Sequence, residues 1–281
     1  MISKKIFGNG FKINLDGKDP FLYIDNLKKS FLNYGIILID NFNLSPEKLE
    51  EFTGKFTLEY SNDAARRKIN FKKKNLRSVD LGLQEIPLHS EASFAVTRPK
   101  IIWFYSLPDN LSSSPTTICD GIKIWDAFPN KLKEKFLSLP IIYDVSIDIP
   151  KKKSRNRKWF IDKIGSQNCF VDYENGKFNY NFSTFAVNYD QTINRNCFCN
   201  HLLSVDYENQ ILKAKFVNGD VVDKNLLKEI NKYAEPYIYE HKWSSNQMIM
   251  LDNFRFMHGR RKISDNKKRN LINIQSLRIN F

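Results

Sequence analysis

From Val79 onward, apolar and β-branched residues arrive in short bursts, LHSEASF, KIIWFYSL and TTICDG, each closed off by Pro, Asp, Asn, Ser or Gly. Bursts this short suit strands better than core helices, and the residues between them are the ones that let a chain reverse. The pattern returns near the C-terminus as MIMLDNF, with a turn expected at His258-Gly259, and as NLINIQSL, whose alternation predicts a last strand. A chain of this kind buries its apolar side chains by stacking one sheet on another or closing a sheet on itself.

The first third mixes helices with strands. Phe21 to Tyr34 has helical apolar spacing, Gly35 can end it, and Ile36 to Asp40 reads as a buried strand. Ser45 before Pro46 predicts a capped second helix, with Glu47 and Glu50 in its early turns. Ile124 to Leu139 looks helical with an interruption at Pro129, and Lys224 to Tyr239 carries Leu226, Leu227, Ile230, Tyr233 and Ala234 on one face. Between these helices, Asn175-Gly176 and Asn218-Gly219 signal turns in a less regular stretch. No internal repeat or low-complexity linker divides the chain. The expectation is one mainly β domain over 1–281 with flanking helices and an inserted, lid-like section at about 141–221.

Composition supports a folded core. Hydrophobic residues make up 42% and aromatic residues 14%, with 22 Phe and 12 Tyr, so the apolar material suffices without disulfides. Four cysteines without framework spacing suit a reducing compartment. No apolar run approaches the ~20 residues of a membrane helix, and the N-terminal stretch has no secretory pattern. A cytoplasmic protein with no membrane partner is expected. The net charge of +13 raises the alternative of a nucleic-acid-binding module. Yet lysine is spread along the chain, and the densest run, Lys151 to Lys158, reads as a solvated loop.

His89-Ser90-Glu91 places two metal-ligand types at i and i+2, which on an extended segment share a face. A third ligand from a distant strand would complete a two-histidine, one-carboxylate set and leave positions open for an oxygen-activating co-substrate. The other histidines are His201, His241 and His258. His258 follows the apolar run MIMLDNF, where Asp252 and Asn253 can brace the chain that aims it. His241, beside Trp243, reads as a core or interface histidine. Cys197-Phe198-Cys199-Asn200-His201 is the competing pattern, but a closed zinc site needs a fourth ligand and Cys-x-x-Cys spacing, and it has neither.

LHSEASF, TTICDG and DNFRFMHGRR, in that order, resemble the taurine dioxygenase and clavaminate synthase branch of the iron(II)/2-oxoglutarate oxygenases. The resemblance covers about residues 79–128 and 236–281. It implies a double-stranded β-helix, or jelly roll, with Fe(2+) held by His89, Glu91 and His258. Glu in place of the commoner Asp matches the clavaminate-synthase-like members and argues against a halogenase. For the co-substrate 2-oxoglutarate, the resemblance implies an arginine on the far carboxylate. Arg260, Arg261, Arg269 and Arg278 follow His258, and Arg269 at the head of the final apolar run is the choice. Thr117 of TTICDG is expected to donate a hydroxyl to the same carboxylate, with Thr116 as its neighbour, and Phe94 matches an aromatic near the metal. The implied reaction is hydroxylation or desaturation of a small, amino-acid-derived substrate by molecular oxygen, releasing succinate and carbon dioxide. A catalytically inactive jelly roll serving protein contacts is the other alternative.

Overall fold

Successive strands after Val79 go to opposite sheets. The larger sheet holds β1 (Ile2–Ile6), β2 (Gly10–Asn14), β3 (Ile36–Asp40), β4 (Thr57–Tyr60), β5 (Arg77–Ser78), β7 (Ile101–Ser106), β16 (Met248–Asp252) and β18 (Leu271–Ile279). Its order is β1-β2-β3-β16-β7-β18-β4, with β5 also on β18. The smaller sheet holds β6 (Ile86–His89), β8 (Thr116–Asp120), β15 (Tyr239–His241) and β17 (Phe256–Arg260), in the order β15-β8-β17-β6. The chain therefore steps β6, β7, β8 and later β15, β16, β17, β18 from one sheet to the other each time, which is the jelly-roll path. This computed structural model describes residues 2–6, 10–61, 75–79, 82–110, 114–148, 162–163, 171–174, 177–205, 212–265 and 269–281.

Strand alternation divides the apolar side chains into layers. Ile101, Trp103 and Tyr105 of β7 pack outward with Met248, Met250, Ile272 and Ile274, under helices α1 (Ile24–Tyr34) and α2 (Pro46–Gly54). Ile102 and Phe104 pack inward with Ile249, Leu251, Leu271, Ile118, Phe256 and Trp243, between the two sheets. Burial on both faces explains why IIWFYS and MIML read as continuous apolar runs rather than alternating ones. A third cluster covers the outside of the smaller sheet, joining Leu88, Cys119 and Met257 to α3 (Gly121–Ala127), α4 (Asn130–Ser138) and α5 (Lys224–Ala234). From the middle of the chain, β10 (Val171–Glu174), β11 (Lys177–Thr184), β9 (Ile141–Asp148) and β14 (Leu212–Phe216) form a four-stranded sheet in that order. Beside it, β12 (Val187–Asp190) pairs with β13 (Arg195–Phe198).

Local signals act as their chemistry requires. Gly35 adopts φ 70° and its N–H closes α1 on the Phe31 carbonyl. Ser45 Oγ accepts from the Lys48 N–H ahead of Pro46. The helix expected over Ile124–Leu139 is two, broken at Phe128-Pro129. The one expected to reach Tyr239 ends at Ala234: Pro236 has no N–H to continue the helical ladder, and the chain tightens into a 3-10 turn over Glu235–Tyr237. His258-Gly259 is not a turn. The reversal comes earlier, between Asp252 and Phe256, and both residues lie within β17. Gly259 is there for close packing, since a Cβ would collide with the carbonyl oxygens of Ile86 and Pro87. The Lys151–Lys158 run and Asn175-Gly176 fall outside the described residues. Among those described, no helix is long and apolar enough to cross a membrane.

Candidate metal centre

His89 closes β6 and His258 sits directly across from it on β17, so the two imidazoles leave the same face of the smaller sheet. Their ring centroids are 4.5 Å apart. Glu91 joins them, but not by strand alternation: β6 has ended, and Ala92 takes φ 50° in the turn that follows. Asn253 sets that turn. Its Oδ1 accepts from the Glu91 N–H at 2.8 Å, and its Nδ2 donates to the carbonyls of Glu91 and Pro99, both at 2.9 Å. Ser90 Oγ donates to the Asn253 carbonyl at 2.6 Å. Asp252 completes the brace by accepting from the Phe254 N–H and pairing with Lys100 at 2.7 Å.

The result is one cluster in which a donor atom of each of His89, Glu91 and His258 lies within 4.8 Å of the others. His258 Nε2 is 3.9 Å from Glu91 Oε2. His89 Nδ1 is 2.9 Å from the Pro87 carbonyl, which fixes the proton on Nδ1 and leaves the Nε2 lone pair for a ligand bond. Two imidazole nitrogens and one carboxylate oxygen, partly shielded from water, are the donor set of an oxygen-activating iron(II) site. Among the described residues no other His, Cys, Asp and Glu group converges this way.

The competing Cys/His stretch packs behind this face. Cys197 Sγ donates to the Arg255 carbonyl at 3.3 Å and Cys199 Sγ to the Asn253 carbonyl at 3.4 Å. Burial pushes the Cys199 thiol up to about 12, and pushes Cys197 well above the ordinary thiol range, so both stay protonated and make poor metal ligands. His201 Nδ1 lies 3.0 Å from the Ser90 carbonyl. Burial, reinforced by neighbouring His89, pushes its imidazole down to about 3. It is a neutral spacer between His89, 5.1 Å away ring to ring, and Phe94, 4.7 Å away. His241 is likewise a core residue, against Trp243 at 4.5 Å, and burial lowers it to about 4.

The expected carboxylate partners divide. His258 pairs with Ile118 across β17 and β8, so Ile118 and, two residues away, Thr116 share its face. Thr117 points the other way, into a cavity of about 260 Å³ lined by Leu88, Leu203, Leu227, Ile238 and Arg261. The structure therefore does not bring Thr117 to the metal face; Thr116 stands there instead. Thr116 Oγ1 accepts from Trp243 Nε1 at 2.9 Å. Trp243 packs on Phe104, whose ring is 5.2 Å from that of His258.

Arg269 comes to the same end of the interior, its guanidinium on the carbonyl of Ser114, 3.1 Å away, and on the Ser114 hydroxyl. The other arginines are engaged elsewhere. Arg260 is buried against the Gly82 and Gln84 carbonyls, Arg261 pairs with Glu85, Glu235 and Glu240, and Arg278 is exposed at the far end of β18. An inward-facing cation of the larger sheet escaped the sequence reading. Arg77 of β5 is 4% exposed and faces inward. Its signal is hidden because it ends KKKNLR, a stretch that reads as a solvated basic run.

A family model described as taurine catabolism dioxygenase TauD, TfdA family matches residues 4–275. No curated protein matches the chain in sequence. Among solved structures, AAD-2 in complex with Mn(II) and N-oxalylglycine superposes with a TM-score of 0.64 at 14% identity, covering 98% of this chain and 96% of that one. A putative α-ketoglutarate-dependent taurine dioxygenase from Burkholderia xenovorans gives 0.66 at 12% identity over 100% and 93%. A putative α-ketoglutarate-dependent 2,4-D dioxygenase from the same organism gives 0.62 at 14% over 98% and 96%. These similarities span the jelly roll described above.

Proposed function

The chain belongs to the TauD, TfdA family of dioxygenases, and from that premise we propose that His89, Glu91 and His258 hold iron(II) in an enzyme that oxidises a small, amino-acid-derived substrate while consuming 2-oxoglutarate. The observation that carries this reading is the convergence of two imidazoles and a carboxylate, from segments far apart in sequence, within 4.8 Å. Such a set leaves coordination positions for a chelating co-substrate. Iron(II) with bound 2-oxoglutarate supplies the oxygen-activating chemistry that attacks a C–H bond, the co-substrate leaving as succinate and carbon dioxide.

The chain's own residues would position and shield. Arg269 is assigned the far carboxylate of 2-oxoglutarate, since a fork of N–H donors suits a planar anion. Thr116 replaces Thr117 as its hydroxyl partner: the Trp243 N–H occupies one lone pair of Thr116 Oγ1, which leaves the hydroxyl proton to donate onward. The section at about 141–221 is assigned the part of a lid, excluding water from the reacting bond. In support, its Asn200 carbonyl accepts from the Ser90 N–H and its His201 is bonded to the Ser90 carbonyl, between two ligands. Hydroxylation and desaturation both follow from attack on one C–H bond held near the metal.

Anaerobic titration of the purified protein with iron(II) and 2-oxoglutarate tests the reading. A visible charge-transfer band and, on admitting air, iron-dependent succinate formation are expected. A nucleic-acid module would instead bind polyanions in a salt-sensitive way with no need of iron, and an inactive jelly roll would give no band.

A further inference from the structure

Arg98, Pro99 and Lys100 lead from the Glu91 turn into β7, and all three bind the turn that precedes His258. Arg98 Nη2 donates to the Asn253 carbonyl at 2.9 Å. The Pro99 carbonyl accepts from Asn253 Nδ2, and the Lys100 carbonyl accepts from the Asn253 N–H at 3.0 Å. With the Ser90 and Glu91 contacts described above, every polar group of Asn253, main chain and side chain, is engaged. The Arg98 guanidinium also lies 4.0 Å from the centre of the Phe254 ring and the Lys100 ammonium 5.2 Å from it, so two cations meet one aromatic side chain.

Arg98 differs from its two neighbours in reaching a third segment. Its Nη2 donates as well to the Cys199 carbonyl at 3.0 Å, and its Nη1 donates to Asn188 Oδ1 at 3.2 Å. Asn188, on β12, donates in turn through Nδ2 to the carbonyls of Cys199 and Phe254 at 2.9 and 3.1 Å. The guanidinium is thus a joint between the inserted section and the turn that orders Glu91. Among the described residues no carboxylate lies within ion-pair distance of it, and its hydrogen-bond acceptors are neutral carbonyl oxygens. A partly buried cation without a counter-ion is costly, so a side chain that only filled this space would be better uncharged. What arginine supplies is a rigid planar fork of donors that can hold carbonyls of two separate segments at once, which an ammonium or an apolar group cannot do.

We propose that Arg98 is a positioning residue of the iron site: it fixes the Asn253 turn against the inserted section, and through Asn253 it fixes the direction of the Glu91 carboxylate. This rests on the metal reading given above. Arg98 is not a ligand. Its influence passes through the Asn253 side chain, which holds the main chain of Glu91 at both its N–H and its carbonyl. Hydrogen-bonded groups standing behind metal ligands in this way typically account for about 10- to 100-fold in metal affinity.

The test measures iron(II) affinity anaerobically in the full chain, without 2-oxoglutarate, beside Tm. Arg98→Met, of similar length but without donors, should lower iron affinity about 10- to 100-fold. Arg98→Lys keeps the charge and should still lose about tenfold, because an ammonium cannot span both segments. Lys100→Met removes the other cation at Phe254 together with a partly exposed ion pair to Asp252, and should stay within about threefold of the unaltered protein. Asn253→Ala should weaken iron at least as much as Arg98→Met does. The double variant should then bind no more weakly than Asn253→Ala alone, since the effect of Arg98 has lost its path. A merely structural arginine would lower Tm in Arg98→Met and leave the iron affinity of the folded protein within about threefold, and that result overturns the proposal. So does a double variant whose two losses multiply, or an equal loss in Lys100→Met, which would make charge near Phe254 the cause. Where Arg98→Met does not fold, normal iron affinity in Arg98→Lys overturns it. Failure of the unaltered protein to bind iron would instead remove the metal reading itself, and this proposal with it.

Discussion

Two stretches of the chain alternate ligand-type residues, His89-Ser90-Glu91 and Cys197-Phe198-Cys199-Asn200-His201, and both pack on the same turn around Asn253. They differ in what their donor atoms already do. In the second, each thiol donates to a main-chain carbonyl and the His201 ring is spent on Ser90. In the first, the Pro87 carbonyl takes His89 Nδ1 and the Asn253 side chain takes the Glu91 amide, which turns His89 Nε2 and the carboxylate toward His258. Residue type at a given spacing therefore underdetermines a metal site. What decides is whether the local hydrogen bonds consume the ligand atoms or aim them.

The sharpest way to break this contrast is to remove one donor from each stretch. His89→Ala, Glu91→Ala and His258→Ala should each abolish iron-dependent succinate formation, because a three-ligand site has no spare donor nearby. His201→Ala should retain iron binding and lower only stability. Iron affinity and Tm measured side by side would reverse the assignment if His201→Ala lost metal and His258→Ala did not.

At the next level, Arg269→Ala removes a charge-assisted contact from a partly buried anion, a loss of about 2 to 5 kcal/mol, or roughly 30- to several-thousand-fold in 2-oxoglutarate affinity. Iron binding should survive, Arg269→Lys should recover part, and Arg278→Ala should do nothing. Equilibrium titration of the four proteins checks the order, and a larger effect at Arg278 would mean that the register of β18 is misassigned.

Smaller, but more discriminating, is the pair Thr116→Val and Thr117→Val. Loss of one hydroxyl donor is worth about 1 kcal/mol, close to fivefold in co-substrate affinity, and only the first substitution should show it. Equal effects would say that the two faces of β8 are not distinguished by function. Last, Cys199→Ala removes a protonated thiol that touches the Asn253 carbonyl. A loss of about 1 to 2 kcal/mol in stability is expected, with iron content unchanged. Stoichiometric zinc in the purified protein that disappears in this variant would revive the second stretch as a metal site.

Much of this was readable from the residues. Strand bursts, the Ser45-Pro46 cap and the Gly35 stop act locally, so their chemistry is visible without the fold. That His89, Glu91 and His258 come together was legible because the rest of the sequence supplied a pattern that the His-x-Glu spacing alone did not. What could not be read depends on neighbours brought in by the fold. Whether Thr116 or Thr117 faces inward is set by the pairing of Ile118 with His258, and a strand buried on both faces offers no polar side to fix its parity. The turn expected at His258-Gly259 is a strand because that glycine makes room for the neighbouring chain at Ile86 and Pro87. Arg77 carries no local mark of burial at all.

Asn253 has a kinetic meaning as well as a geometric one. Its amide joins Glu91 to the turn before His258 across 162 residues of sequence, so the pocket cannot exist until nearly all of the intervening chain is in place. Closing so long a loop is slow relative to forming local helices and hairpins. A nascent or partly unfolded chain would hold at most the two ligands near residue 90, too few to compete for iron. Metal would then select the finished protein over its precursors, adding about 2.7 kcal/mol to its stability when free iron stands at a hundred times the dissociation constant. Supply of iron would thus set how long a completed molecule lasts, apart from how fast it turns over.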